Sequence, residues 1–307
     1  MKDQFLSVAD LAYLLEESAE KVTAQLLKLD PQWKSRSSVA PQLARKLLTL
    51  KSFRMPQKVI SFQMLKGGVA KTTSALNLGW RAAQYGARVL FLDLDQQANL
   101  TFALGVEAED LPVWVDVLER KAVVKEVIVP IAPGVDLIPS SLNNSVLDRV
   151  LLHSNRNWAT AVKGPLREVL PSYDLVIIDT APSLSAINTA VTCASDMVIL
   201  PISPDKFSMI GVKKHLEDLE ELKGEFDLDF EKRILFTRFD GRESSSQIYL
   251  NQSIELFEDM LLKHYIRSST ELKNAIGGPR SIFSTKNNAR EDYDGLTREI
   301  LGFWKEG

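Results

Sequence analysis

Lys66-Gly67-Gly68-Val69-Ala70-Lys71-Thr72-Thr73 is the stretch on which the rest of the chain depends. An apolar run over residues 59–65 leads into it, and a helical pattern over residues 73–85 leads out. Strand, glycine turn and helix form the setting of a phosphate-cradling loop. Adjacent glycines let several backbone N–H groups converge on one anion, and the helix N-terminus adds the positive end of its dipole. Lys71 would place its charge on the β- and γ-phosphates, and Thr72 would offer its hydroxyl to Mg²⁺. The strict pattern G-x-x-x-x-G-K-[ST] asks for glycine where Leu65 and Ala70 stand. The form present is K-G-G-x-x-K-[ST], with an additional lysine, Lys66, at its front. The competing reading of this stretch alone is an ordinary strand-to-helix turn with a solvated lysine.

Two further stretches bear on that choice. In Phe91-Leu92-Asp93-Leu94-Asp95-Gln96-Gln97-Ala98-Asn99 an apolar strand ends abruptly in two carboxylates. Ligands of open parallel sheets bind at the carboxyl ends of strands, so Asp93 and Asp95 are expected beside the loop. In Leu175-Val176-Ile177-Ile178-Asp179 four apolar residues precede an acid. Asp179 would accept from Thr72 or from a water on Mg²⁺, a hard cation that keeps several waters.

The three motifs, in this order, resemble the ParA/MinD family of deviant Walker A ATPases, closest to the ParA-type plasmid and chromosome partitioning ATPases. The resemblance spans residues 57–305. It departs from the family's D-x-D-P-Q-x-N motif at Gln96, where proline is usual, and at Ala70, where glycine is usual. It implies an ATPase with ATP and Mg²⁺ as its cofactors. Residues Lys66, Gly67, Gly68, Val69, Ala70, Lys71, Thr72 and Thr73 would bind nucleotide; Thr72, Asp93 and Asp179 would hold the metal and its waters. Lys66, Lys71 and Asp95 would be catalytic, Asp95 by polarising the attacking water. Asn99 would fix the local turn, and Pro182 with the segment after it would form the switch that reports a γ-phosphate. Asp240, in Thr237-Arg238-Phe239-Asp240, would contact the base or else be a turn aspartate before Gly241. Lys66 would reach across a two-fold axis to the partner's nucleotide, so that ATP joins a homodimer and hydrolysis releases it. Ala70 is expected to adopt an ordinary helical backbone.

Alternating strand and helix patterns predict an α/β fold, a doubly wound and mostly parallel sheet with helices on both faces. Strand candidates are residues 59–65, 88–93, 135–138, 175–178, 197–201 and 234–237, several of them continuously apolar, as strands covered on both faces are. Residues 57–307 would form the ATPase domain. Residues 1–56 would be a helical extension, with Ser7-x-x-Asp10 as a capping box, Ser18 as a second cap, 31–41 as a linker and 42–53 as a basic amphipathic helix. The two first helices resemble the operator-binding helix-turn-helix of larger plasmid relatives. Glu16, Glu17 and Glu20 would repel phosphates there, which favours a dimerisation or packing element.

The chain has 307 residues, 45% hydrophobic and 25% charged, as in an ordinary globular protein. The absence of a long apolar run or a signal-peptide core predicts a cytoplasmic protein, and the family resemblance implies that it is nucleoid-associated. Cys193 is the one cysteine, which excludes an intrachain disulfide, a C-x-x-C redox motif and a four-cysteine metal site. The net charge of −3 is unevenly spread: no Asp or Glu lies between Asp30 and Asp93, where Lys34, Arg45, Lys46, Lys51, Arg54 and Lys58 cluster. A second basic stretch over residues 260–290 carries Lys263, Arg267, Lys273, Arg280 and Lys286, while 217–231 is acidic. These clusters, with Arg242, predict a polyanion partner. The leading expectation is non-specific DNA binding by the ATP dimer, with hydrolysis stimulated by a ParB-like centromere-binding or adaptor protein. Alternatives are positioning of a protein cargo by the same machinery, a MinD-like membrane switch and a metabolic synthetase. The chain end, residues 296–307, mixes Arg298 and Lys305 with Glu299 and Glu306, a poor anchor for anionic lipid, so no membrane partner is expected. Lys66 argues against the synthetase.

Overall fold

The computed structural model describes residues 5–34, 37–153, 157–275 and 281–303. The chain begins with β1 (Leu6–Ser7), α1 (Val8–Leu15), α2 (Ala19–Leu29), β2 (Ser38–Val39) and α3 (Pro41–Leu50). It continues through β3 (Lys58–Phe62), α4 (Lys71–Gln84), β4 (Val89–Asp93), α5 (Asn99–Ala103), β5 (Val129–Ala132), β6 (Val135–Ile138), β7 (Leu175–Asp179), β8 (Met197–Ile202) and β9 (Glu231–Phe236). Strands β3–β9 form a seven-stranded sheet in the order β5-β6-β4-β7-β3-β8-β9. All neighbours are parallel except β5 and β6. The six expected strands are present; β5, with Pro130, is an addition at the sheet edge, the place where proline costs no ladder hydrogen bond.

Alternation within each strand divides the core. Val89 and Phe91 of β4 face the layer that holds α4, while Leu90 and Leu92 face the opposite layer with Trp114 and Val176.

The extension folds from the capping signals in its sequence. Asp10 N–H donates to Ser7 Oγ at 3.0 Å, and Ser7 N–H to Asp10 Oδ2 at 3.2 Å. Ser18 caps α2, and Glu16 turns the chain between the helices with φ +53°. The segment expected to be a plain linker contains β2, which pairs antiparallel with β1 and receives Trp33 Nε1–H on the Ser38 carbonyl. Leu11, Leu26, Leu43 and Leu47 share one core with Trp80 and Tyr85 of the α4 segment and with Leu296 and Ile300. The extension therefore has no separate core; it completes the outer layer of the sheet domain. At Gly86, φ is +97°, and a Cβ would lie 2.5 Å from the Pro41 carbonyl, so glycine is required where α3 presses on this turn.

Among the described residues, no helix is long and apolar enough to cross a membrane. Leu296, Ile300, Leu301 and Phe303 are buried in the core rather than displayed as an amphipathic anchor. Residues 304–307 lie outside the described residues.

Candidate nucleotide site

Three adjacent strands end at one level. Phe62 of β3 and Asp93 of β4 are both in register with Asp179 of β7. The loop over residues 66–73 leaves the end of β3, so it meets Asp179 on the adjacent strand, with Asp93 one strand beyond.

Thr72 Oγ1–H donates to Asp179 Oδ2 at 2.6 Å. The other oxygen, Asp179 Oδ1, is buried and has no protein partner. Burial first, and Asp93 second, push the Asp179 carboxyl well above its ordinary range. A buried carboxylate with one unpartnered oxygen, beside a threonine hydroxyl and further acids, is a donor set suited to a hydrated magnesium ion. Asp93 is fully buried as well, and burial raises its carboxyl to about 7 against the hydrogen bonds from Thr101. Its Oδ2 accepts from the Thr101 amide (2.9 Å) and hydroxyl (2.8 Å), and its Oδ1 from the Asp95 amide (3.1 Å). Asp93 thus clamps the turn that carries Asp95. Asp95 Oδ1 accepts from the Gln97 amide at 2.9 Å, and the turn closes through Ala98 at φ +52° into α5. Asn99 is the first residue of that helix.

Lys71 is buried at the start of α4. Its ammonium donates to the carbonyls of Met64 (3.3 Å) and Lys66 (3.4 Å) inside the loop. Burial lowers its pKa, while Asp179 and Asp95 oppose the shift. Val69 is buried, and its carbonyl accepts from Thr237 at the end of β9. Gly67 and Gly68 are exposed, with Gly68 at φ +75°.

Ala70 overturns an expectation. Its φ of +68° and ψ of +30° place it in the left-handed region, at the N-cap of α4. The chain must reverse there to direct the helix amides into the loop, whatever side chain is present. A Cβ in this conformation costs roughly 1–2 kcal/mol, which explains why glycine is usual in this form of the motif. The alanine marks strain held by the surrounding core, not a helical backbone.

Lys66 points away from its own loop. Its ammonium lies 2.5 Å from Asp205 Oδ2, and its side chain is 35% exposed. Asp205 caps the helix Lys206–Glu225 and is held by Ser203. No sequence motif drew attention to Asp205; an acid capping the helix after β8 was the available signal.

A cavity of about 250 Å³ opens beside the loop, lined by Ala70, Thr73, Arg238, Ser268, Ser269 and Tyr293 among others. Arg238, at φ +58°, follows the carboxyl end of β9. It sits in the segment 237–240 that sequence reasoning selects, but that reasoning favours Asp240 instead. Asp240 is turned outward onto Arg242 at 2.6 Å and is not among the residues lining this cavity.

The basic stretches are partly neutralised by folding. Arg45 and Arg88 share Asp174, Lys51 pairs with Glu17 and Lys58 with Glu231. Arg267 is bonded to Asp292 and Glu291 and lines the cavity beside the loop. Arg242 is paired yet 90% exposed. Lys263 and Lys286 are exposed. Arg280 and the side chain of Lys273 lie outside the described residues.

Residues 57–232 match the family described as AAA domain (AAA_31). A virulence plasmid ParA family protein of Chlamydia psittaci, pGP5-D, is 31% identical over 254 residues, covering 79% of this chain and 94% of that protein. Among solved structures, a cobyrinic acid a,c-diamide synthase from Mycobacterium smegmatis with bound ATP analogue and magnesium is 28% identical. It has a TM-score of 0.70 and covers 81% of this chain and 96% of that one. An ATP complex of a Cyanothece McdA variant has a TM-score of 0.74 at 24% identity, covering 81% and 98%, and this likeness concerns the fold.

Proposed function

The chain belongs to the ParA family of P-loop ATPases, and on that premise we propose that it is an ATP-dependent dimer switch acting in plasmid or chromosome partitioning. The carrying observation is the division of labour between two lysines. Lys71 occupies the interior of the loop, while Lys66 projects outward to Asp205. With Lys71 inside the loop, Lys66 stands outside its own phosphate cradle, and on leaving Asp205 it would serve a second copy's nucleotide.

The substrate is ATP with Mg²⁺. Thr72 and Asp179 would hold the ion and its waters, and the ion would supply positive charge against the triphosphate. The loop amides from Gly67 onward and the N-terminus of α4 hold the phosphate oxygens. Lys71 adds a fixed positive charge, and its burial strengthens that effect. Asp95 accepts a hydrogen bond from the attacking water and orients it toward the γ-phosphorus, with ADP as leaving group. Asp93 keeps Asp95 in place through the Asp95 amide and Thr101; its Oδ1 has a second acceptor position for a water of the metal's shell. The cavity at Arg238, Ser268 and Ser269 takes the nucleoside end, a reading that replaces Asp240 as the base contact.

The dimer would bind DNA without sequence preference through Arg242, Lys263, Lys286 and the basic residues around them, and a ParB-like partner would stimulate hydrolysis. Arg267 leaves this set, because Asp292 engages it. Such a protein works on the nucleoid. Positioning of a protein cargo would use the same residues, and the partner alone separates the two readings. DNA binding measured with and without ATP across a salt series tests the proposal. Neutralising six to ten phosphates lowers affinity by roughly 10³–10⁵ between 50 and 200 mM salt. Binding that ignores either salt or ATP would sink it.

A further inference from the structure

We propose that the groove between the N-terminal extension and the amino end of the sheet is a docking site for an acidic, amphipathic peptide segment of a partner protein. The groove has a volume of about 940 Å³. It is formed by the end of α2, one face of α3, the turn over residues 86–88 and the β5–β6 turn at Pro133 and Gly134. Residues 86–88 precede β4, whose opposite end carries Asp93, so the groove and the nucleotide site lie at opposite ends of the sheet. α4 connects them: it starts at the phosphate loop and finishes two residues before Gly86.

The lining decides the occupant. Leu29, Leu50 and Pro133 supply an apolar floor, and Leu50 is 68% exposed. A leucine this open beside a concave surface is a candidate for contact with another molecule. Arg45, Lys46 and Arg88 stand around it. Arg45 and Arg88 both bind the carboxylate of Asp174, whose side chain is 8% exposed. One buried negative charge thus serves two guanidiniums, and the exposed Lys46 adds a third positive charge. The rim keeps an excess of positive charge over an apolar floor.

That combination matches a peptide carrying Asp or Glu on one side and aliphatic residues on the other. Peptide carboxylates would meet the exposed Lys46 ammonium and the net positive charge that one Asp174 leaves on two guanidiniums, and the aliphatic side chains can cover Leu29 and Leu50. A nucleic-acid backbone would leave the apolar floor unmatched. The walls are already set, because Gly86 leaves no space between its turn and α3. A preformed groove spends little ordering entropy on binding.

The test uses the full chain and a fluorescein-labelled helical peptide of alternating Glu and Leu faces. Two control peptides replace Glu by Lys or Leu by Ser, and a labelled DNA duplex is the fourth probe. The variants are Lys46→Glu and Leu50→Asp, both at exposed positions, with circular dichroism and ATP turnover to confirm folding. Saturable binding of the Glu/Leu peptide alone, weakened about tenfold or more by each variant, is the expected result. The proposal is overturned by an absence of saturable binding, or by binding that neither variant changes. It is equally overturned if DNA binds more tightly than the peptide and loses affinity in the same variants, which would make the groove a nucleic-acid site.

Discussion

The phosphate loop and the seam between the extension and α4 are both dense in buried charge, yet they treat that charge in opposite ways. At the seam, charges are matched within the protein. Arg81, fully buried, lies 2.6 Å from Asp294 Oδ1 and 3.2 Å from Asp10 Oδ2. Asp10 also accepts from Arg290 at 2.7 and 2.8 Å, and Arg298 reaches Asp294 at 3.1 Å. At the loop, an oxygen of Asp179 is unpartnered, acids crowd together, and two alanines hold left-handed backbone. In the first region every charge has an opposite charge from the chain beside it, although Arg81 Nη2 and Arg298 Nε make no hydrogen bond. The other is arranged for a ligand that brings positive charge and accepts amide hydrogen bonds. Departures from local stability rules that cluster at one place mark the site, because the rest of the fold must hold them.

The contrast is open to direct attack. Asp95→Ala should leave ATP binding in place and lower turnover by roughly 10²–10⁴-fold, read by phosphate release against nucleotide affinity. Normal hydrolysis in this variant would refute its assignment. Lys66→Ala should bind ATP with near-parental affinity while losing roughly 10²–10³-fold in hydrolysis, the scale of one transition-state donor. Lys66→Ala chains mixed with Asp95→Ala chains would show whether the lysine acts across the interface: recovery of activity requires a site built from two copies.

At the seam, effects should appear in stability rather than catalysis. Asp10→Ala removes one partner from two arginines and should cost about 3 kcal/mol in urea denaturation, the low end for a broken buried pair because Asp294 remains with Arg81. The same carboxylate sets a pH dependence. Burial alone would raise Asp10, but Arg81, Ser7 and Arg290 outweigh it and hold it at about 2, below its ordinary value of 3.8. Its folded pKa is depressed, so its contribution is fully present above about pH 4 and is lost as pH falls through about 2. The total is about 2 kcal/mol. Acid titration of stability should therefore be flatter in Asp10→Ala than in the parent. The smallest effect is Ala70→Gly, which relieves left-handed strain but frees the unfolded chain, for a net gain of up to about 1 kcal/mol. A loss of stability there would show that the loop does not hold Ala70 as described.

Much of this architecture is legible along the chain. Strand ends at Asp93 and Asp179 are recognisable because a continuous apolar run stops at a charge, and parallel β3, β4 and β7 place such stops at one level. The capping box at Ser7 and Asp10 is likewise local, carried within one helical turn. The backbone at Ala70 is not legible, because residue type is weak evidence for backbone shape where neighbouring structure imposes the turn. Asp240 misleads because two aspartate-bearing turns look alike until the side chain's partner, here Arg242, is known.

The basic stretch from Lys34 to Lys58 shows the limit most plainly. In sequence it is an acid-free block; in the fold Glu17, Asp174 and Glu231 arrive from distant positions and pair with Lys51, Arg45 and Lys58. Motifs confined to a strand end, a loop or a first helical turn are written in consecutive residues, since their geometry involves only near neighbours. Net charge of a surface, the partner of Lys66 and the groove under α3 depend on segments a hundred residues apart. Those properties came into existence only when the sheet ordered its strands and brought the segments together.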